Sequence, residues 1–165
     1  MKTSGKGMKL LKVLHIITAS VWFGTVTCIF GIALKCFFGS SIEEFVLIAP
    51  MIPTLYQTIV MPFAILTLLQ GLYYGFFTKW GLIKHRWVVM KWLCVPIIGA
   101  LTGIGSIARM QAAITRAENG LFLGGITNNF VPLTCITLQL IVLTVMMIIA
   151  VYKPSLGKPK PRNEI

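Results

Sequence analysis

Four long apolar stretches dominate this sequence, and each is long enough to cross a lipid bilayer as a helix. The hydrocarbon core is about 30 Å thick, which a helix crosses in about 20 residues. Only 12% of the residues are charged and 56% are hydrophobic, too few charges to cover a soluble domain of this size. The sequence therefore predicts an all-α fold, a polytopic membrane protein with a four-transmembrane-helix bundle as its single domain over residues 1–153. The predicted helices cover about residues 10–34, 55–77, 87–108 and 130–152.

The second apolar stretch, residues 45–77, is longer than one crossing needs. Pro50, Pro53 and Pro62 interrupt it. We expect an irregular or interfacial segment before Leu55 and a kink near Pro62. The third helix has a similar extension, since the connection after it favours helix until Asn119 and Gly120. The basic, proline-rich residues 154–165 are predicted to be a disordered tail.

Lysine and arginine residues predict the orientation of the bundle. With four crossings, three basic clusters fall on one side of the membrane: the amino terminus, the second turn and the tail. Under the positive-inside rule both termini are therefore predicted to be cytoplasmic. This topology also explains the net charge of +11, and no basic helix stands apart from the apolar stretches. The lipid bilayer, and no nucleic acid, is the expected partner.

Three different predicted helices each bring a polar side chain into the half of the bundle near the predicted cytoplasmic face. His15, Gln70 and Lys91 all lie within about 12 Å of the predicted cytoplasmic face by helical rise. Ionisable groups at membrane depth are candidate functional sites. One interpretation is a cofactor pocket or cavity with His15 as an iron ligand or proton carrier. The alternatives are a packing role for His15 and Gln70, and a Lys91 side chain that extends to the interface.

Helical spacing adds two surfaces to the first helix. Trp22 shares a face with His15, so the predicted pocket is lined by His15, Trp22, Gln70 and Lys91. On the roughly opposite face, Ser20, Gly24 and Cys28 form a ridge of small residues. Such ridges allow close helix packing, so this one is a candidate homodimer surface. The four cysteines form no CxxC motif, so neither a zinc site nor a disulfide framework is indicated.

Three segments resemble a known group of proteins. The segment LLKVLHIITASVWFG (residues 10–24) resembles the LHxxxxxxWxG opening of an uncharacterised four-helix bacterial integral membrane family. The segment KWGLIKHRWVVMKW (79–92) is similar to the third-helix region of one branch of that family. Relatives of the family include the J-type protoporphyrinogen oxidases and, more distantly, copper-resistance protein D. The segment MPFAILTLLQGL (61–72) resembles the second-helix pattern of the J-type oxidases. The resemblance implies a bacterial cytoplasmic (inner) membrane protein.

In the J-type oxidases a first-helix histidine and a third-helix lysine belong to the haem-associated site. The resemblance therefore implies that His15 ligates iron and that Lys91 belongs to the same site. The chain departs from those oxidases after Gly24, where TVTCIFGIALK (25–35) replaces a run with proline, arginine and tyrosine-histidine. This departure argues against oxidation of protoporphyrinogen itself.

Three functions follow as expectations. The first is a redox-related membrane protein that binds haem b or a related tetrapyrrole. The second is a transporter for a metal ion or small solute, gated by the proline-interrupted stretch and the loop 120–129; the shortage of carboxylates in the membrane argues against proton-coupled cation transport. The third is a non-catalytic subunit that docks a partner through the ridge of small residues.

Overall fold

A computed structural model describes residues 5–77, 86–120 and 130–152 of the chain. Within these ranges four helices are long and apolar enough to cross a membrane: Gly7–Phe38, Ile42–Phe77, Arg86–Glu118 and Val131–Tyr152. The predicted class, an all-α bundle of four apolar helices, is confirmed. The predicted tail, the second turn and most of the loop 120–129 lie outside the described residues. The cytoplasmic location of both termini stays a prediction.

The four crossings are built from seven α-helices and two π-helical segments. The α-helices are α1 (Gly5–Phe38), α2 (Ile42–Ile48), α3 (Met51–Leu55), α4 (Met61–Phe77), α5 (Arg86–Ala100), α6 (Ala108–Glu118) and α7 (Val131–Tyr152). The π-helical segments are Tyr56–Val60, which joins α3 to α4, and Leu101–Ile107, which joins α5 to α6.

The prolines predicted an irregular or interfacial segment at the start of the second crossing. In the structure this part of the chain forms two short helices, α2 and α3. Ser41 caps α2 by accepting a hydrogen bond of 3.2 Å from the Glu44 backbone N–H. Pro50 lies immediately before α3 and Pro53 lies in its first turn. Proline is tolerated there because the first turn of a helix has no partners for its N–H groups. The π-helical segment Tyr56–Val60 then ends just before Pro62.

The third crossing continues past residue 108, and the predicted helical extension up to Asn119 and Gly120 is confirmed. The helix passes Pro96 in α5, continues through Leu101–Ile107 and ends with α6 at Glu118. Its termination is local. The Asn119 side-chain amide donates to the Thr115 carbonyl at 2.8 Å, and Gly120 adopts a φ of +69°, which glycine tolerates without strain.

The helices run up and down, so the bundle has two distinct ends. At the end where α1 begins, the Tyr74 hydroxyl donates to the Met8 carbonyl at 3.4 Å; we call this the N-terminal end. At the other end, here the distal end, the rings of Phe37 and Phe38 lie 6.4 Å and 5.9 Å from that of Phe130. At the distal end α2 also packs against α6.

Helix packing is uneven around the bundle. The first helix, α1, packs on both α4 and α7, and α5 packs on α7 and on the segment Leu101–Ile107. By contrast, α5 makes little backbone contact with α4 or with α1. The bundle is therefore packed less closely where α5 faces α1 and α4 than elsewhere.

Gly105, in the π-helical segment Leu101–Ile107, closely approaches Cys135 on α7. A Cβ atom at Gly105 would lie 2.5 Å from the Cys135 Sγ and 2.9 Å from its Cβ. A methyl group there must displace one of the two helices. Gly99 lies on the same crossing, and a Cβ there would meet nothing within 4 Å.

We expect Gly105→Ala to destabilise the protein by about 1–3 kcal/mol, the usual cost of overpacking a well-packed interior. Thermal unfolding of the detergent-purified protein measures the effect. Gly99→Ala is the matched control and should not destabilise the protein. Adding Cys135→Ala to Gly105→Ala removes the closer contact and should recover part of the loss. Equal stability of Gly105→Ala and Gly99→Ala would contradict this account of the interface.

Candidate functional site

The face of α1 that turns toward α4 carries His15 and Thr18. The Thr18 hydroxyl lies 3.0 Å from Gln70 Oε1 on α4 and 3.1 Å from the backbone carbonyl of His15. A hydroxyl has one proton, so these two acceptors compete for it. The bond to Gln70 joins the first crossing to the second, and the structure thus brings together two of the predicted site residues, His15 and Gln70.

The His15 imidazole, on α1, has neighbours on both α4 and α5. Its ring meets that of Tyr74 edge to face, with centroids 5.9 Å apart and an interplanar angle of 77°. The side chains of Lys91 and Gln70 both lie within electrostatic range of the imidazole. Its Nδ1 is buried and has no hydrogen-bond partner among the described residues. A buried imidazole nitrogen without a hydrogen-bond partner is suited to binding a ligand or to transferring a proton.

Lys91 enters this region from α5. Its ammonium group lies 5.4 Å from the centre of the Trp87 ring, one helical turn earlier, in a cation–π contact. The Lys91 side chain is half-buried, and its charge lies within electrostatic range of the His15 imidazole.

Trp22 lies one turn beyond Thr18 on α1 and is only 5% exposed. Its indole Nε1 is buried without a hydrogen-bond partner among the described residues. Ile98 on α5 is also buried. The predicted assignment of His15, Trp22, Gln70 and Lys91 to one cofactor site stays a prediction.

The charges around the site are all of one sign. In the part of the chain that the structure describes, Lys9, Lys12 and Arg86 accompany Lys91 at the N-terminal end. The described glutamates, Glu43, Glu44 and Glu118, lie on α2 and α6 at the distal end. Within the described ranges no group of three or more histidine, cysteine or acidic side chains is placed to hold a metal ion.

A second polar cluster, which the sequence did not predict, lies deep in the bundle between three crossings. The Tyr56 hydroxyl donates to Gln139 Oε1 on α7 at 2.7 Å. The Ser106 hydroxyl interacts with Tyr56 and donates to the Leu101 carbonyl at 2.9 Å. All three side chains are fully buried. We call Tyr56, Ser106 and Gln139 the buried junction.

The buried junction was missed for a physical reason. One glutamine in an apolar helix is typical of helix–helix packing, and only the backbone geometry shows what it meets. Tyr56 and Ser106 both lie in π-helical segments, which carry no sequence signature but are frequent at functional sites. A signal was available, because Gln139 interrupts the most apolar stretch of the chain.

An open groove lies at the distal end, between α3 and α6. Its volume is about 490 Å³, and Pro53, Gln57, Gln111 and Thr115 are among the residues that line it. The lining has amide and hydroxyl groups and no charged side chain. The groove is therefore suited to a neutral polar molecule.

The four apolar helices and their buried polar clusters define a multi-pass helical membrane protein. Comparison with protein-family models, with curated proteins and with solved structures finds no match for this chain.

We expect Tyr56→Phe to destabilise the protein by about 1–3 kcal/mol, because it leaves the Gln139 carbonyl oxygen buried without its donor. The control is Tyr73→Phe. The Tyr73 ring stacks on Phe77 at 4.4 Å, and this contact does not use the hydroxyl. This variant should stay within about 0.5 kcal/mol of the parent. Unfolding in detergent compares the two, and equal effects would contradict a structural role for the Tyr56–Gln139 bond.

Proposed function

We propose that this chain is a redox-related membrane protein that binds haem b or a related tetrapyrrole in the N-terminal half of the bundle. The observation that carries the proposal is the His15 Nδ1, a buried imidazole nitrogen without a partner, beside the interval that α4 and α5 leave between them. Membrane-buried imidazoles are the usual protein ligands of b-type haem iron.

The donor chemistry of the site fits such a group. His15 would ligate the iron, and Lys91 would either supply a second ligand or neutralise a propionate. The indole N–H of Trp22 is available as a further donor, and Gln70, held by Thr18, would line the pocket. A haem bound there would supply a one-electron redox centre.

The remaining residues would prepare the environment of that group. The uniform positive charge at the N-terminal end favours a ligand with anionic groups, such as carboxylates. Trp22 and Ile98, both buried, would exclude water from the distal side of the site. The Thr18–Gln70 bond would fix α1 relative to α4, and so the position of the imidazole.

The location of the site in the cell is part of the same proposal. Lys9, Lys12 and Arg86 at the N-terminal end favour a cytoplasmic location for that end in a bacterial inner membrane. The haem would then lie in the cytoplasmic half of the bilayer, with both termini inside.

The proposal predicts a Soret absorption band in the detergent-purified protein, shifted by dithionite reduction and lost in His15→Ala. Lys91→Met should shift the band or weaken haem retention, whereas Lys12→Met, an exposed lysine of the same helix end, should leave the spectrum unchanged. Protein that stays colourless after growth and purification with added haem would rule out the proposal. So would a pigment that His15→Ala retains unchanged.

The distal groove favours a second candidate function, the transport of a small neutral solute. The groove is open at one end of the bundle, and the His15 site lies near the other. Uptake into proteoliposomes that survives substitution of both His15 and Lys91 would favour transport over haem binding.

A homodimer through the small-residue ridge completes the proposal. Ser20, Gly24 and Cys28 are all exposed on α1, and a Cβ at Gly24 would meet nothing within 4 Å. Close approach of a second copy is therefore sterically free along this ridge. The same face would serve the remaining alternative, docking of a different partner helix.

A native cysteine makes the dimer testable. Cys28 is free and exposed, and a two-fold axis at the ridge would bring two copies within the roughly 7 Å between Cα atoms that a disulfide needs. Copper-phenanthroline oxidation of native membranes should give a covalent dimer that Cys28→Ser abolishes and Cys94→Ser retains. A dimer that persists in Cys28→Ser, or no dimer in the parent protein, would contradict this arrangement.

A further inference from the structure

The buried junction contains an amide group that the bundle itself does not satisfy. Gln139 is fully buried, and its Oε1 accepts the hydrogen bond from Tyr56. Its Nε2, which has two protons to donate, has no hydrogen-bond partner among the described residues. An unmade hydrogen bond is costly in the interior of a membrane bundle, because no solvent reaches it.

Exchanging the positions of the Gln139 amide oxygen and nitrogen still leaves one of the two atoms without a hydrogen-bond partner. If the Gln139 amide is rotated by half a turn, Nε2 faces the Tyr56 hydroxyl and Oε1 becomes the atom without a partner. In either orientation one amide atom requires a group that the side chains of the junction do not supply.

The other members of the junction have acceptor capacity left. The Ser106 hydroxyl donates its hydrogen bond to the Leu101 carbonyl, and the Tyr56 hydroxyl donates its own to Gln139 Oε1. Each hydroxyl oxygen keeps lone pairs, and the two side chains interact with each other. The missing group must therefore accept from Nε2 and be able to donate to hydroxyl oxygens.

Burial limits the size of that group. Tyr56, Ser106 and Gln139 are all fully buried, which favours an occupant no larger than a solvent molecule. A water molecule has the required size and both hydrogen-bonding roles.

We propose that the buried junction is an internal hydration site that binds one water molecule. The water accepts a hydrogen bond from Gln139 Nε2 and donates to the Ser106 and Tyr56 hydroxyl oxygens. The site links the second, third and fourth crossings at the level where both π-helical segments occur. It is independent of the haem proposal, because it uses none of the residues at the N-terminal end.

The test uses the small number of glutamines in the chain. Gln57, Gln70, Gln111 and Gln139 are its only glutamines, so ¹⁵N-glutamine labelling gives four side-chain amide signals. Magnetisation transfer from water to these amides is measured by solid-state NMR of the full-length protein in lipid bilayers. Gln111, exposed on α6, is the reference for a hydrated amide. Gln139→Leu identifies the Gln139 signal, and the other three signals report whether that variant folds.

We expect transfer to the Gln139 amide at the same short mixing times as transfer to Gln111. Tyr56→Phe should keep this transfer, because the water bonds to Nε2 and Ser106. A Gln139 signal without transfer at mixing times that saturate Gln111 would overturn the proposal. If Gln139→Leu does not fold, the signal is assigned by elimination with Gln57→Leu, Gln70→Leu and Gln111→Leu, and the same two outcomes decide.

Discussion

The constraint on which this structure depends is that hydrocarbon offers no hydrogen-bond partners, so every polar side chain must find one inside the protein. Most threonines do so on their own helix. The hydroxyls of Thr25, Thr67 and Thr137 each donate to the carbonyl one turn earlier, at 2.7–2.8 Å. Other side chains bond across helices, and two of these bonds, Thr18 to Gln70 and Tyr56 to Gln139, mark the two polar clusters.

The two clusters occupy different kinds of surroundings. At the N-terminal end, α5 stands away from α1 and α4, and the polar groups of His15 and Lys91 are only partly covered. At the buried junction the crossings pack closely and every polar side chain is fully covered. The first cluster is therefore the more accessible of the two.

The sequence predicted the class of fold because hydrophobic length is a direct readout of membrane crossing. It also selected His15, Gln70 and Lys91, since polar residues are conspicuous in apolar stretches. For the start of the second crossing it predicted an irregular or interfacial segment, and the structure has two short helices there, with Pro50 immediately before α3 and Pro53 in its first turn. The two π-helical segments could not be predicted, because no local sequence signature marks them.

The unequal lengths of the helices have a consequence for the membrane itself. The 34 residues of α1 extend about 51 Å, whereas the 22 residues of α7 extend about 33 Å, close to the thickness of the hydrocarbon core. α1 is longer than one crossing needs, so it must tilt or project beyond the hydrocarbon core. Lys9 and Lys12 near one end of α1 and Lys35 near the other would lie among the lipid phosphates. Lysines at both ends of α1 would thereby anchor the bundle at a fixed depth in the bilayer.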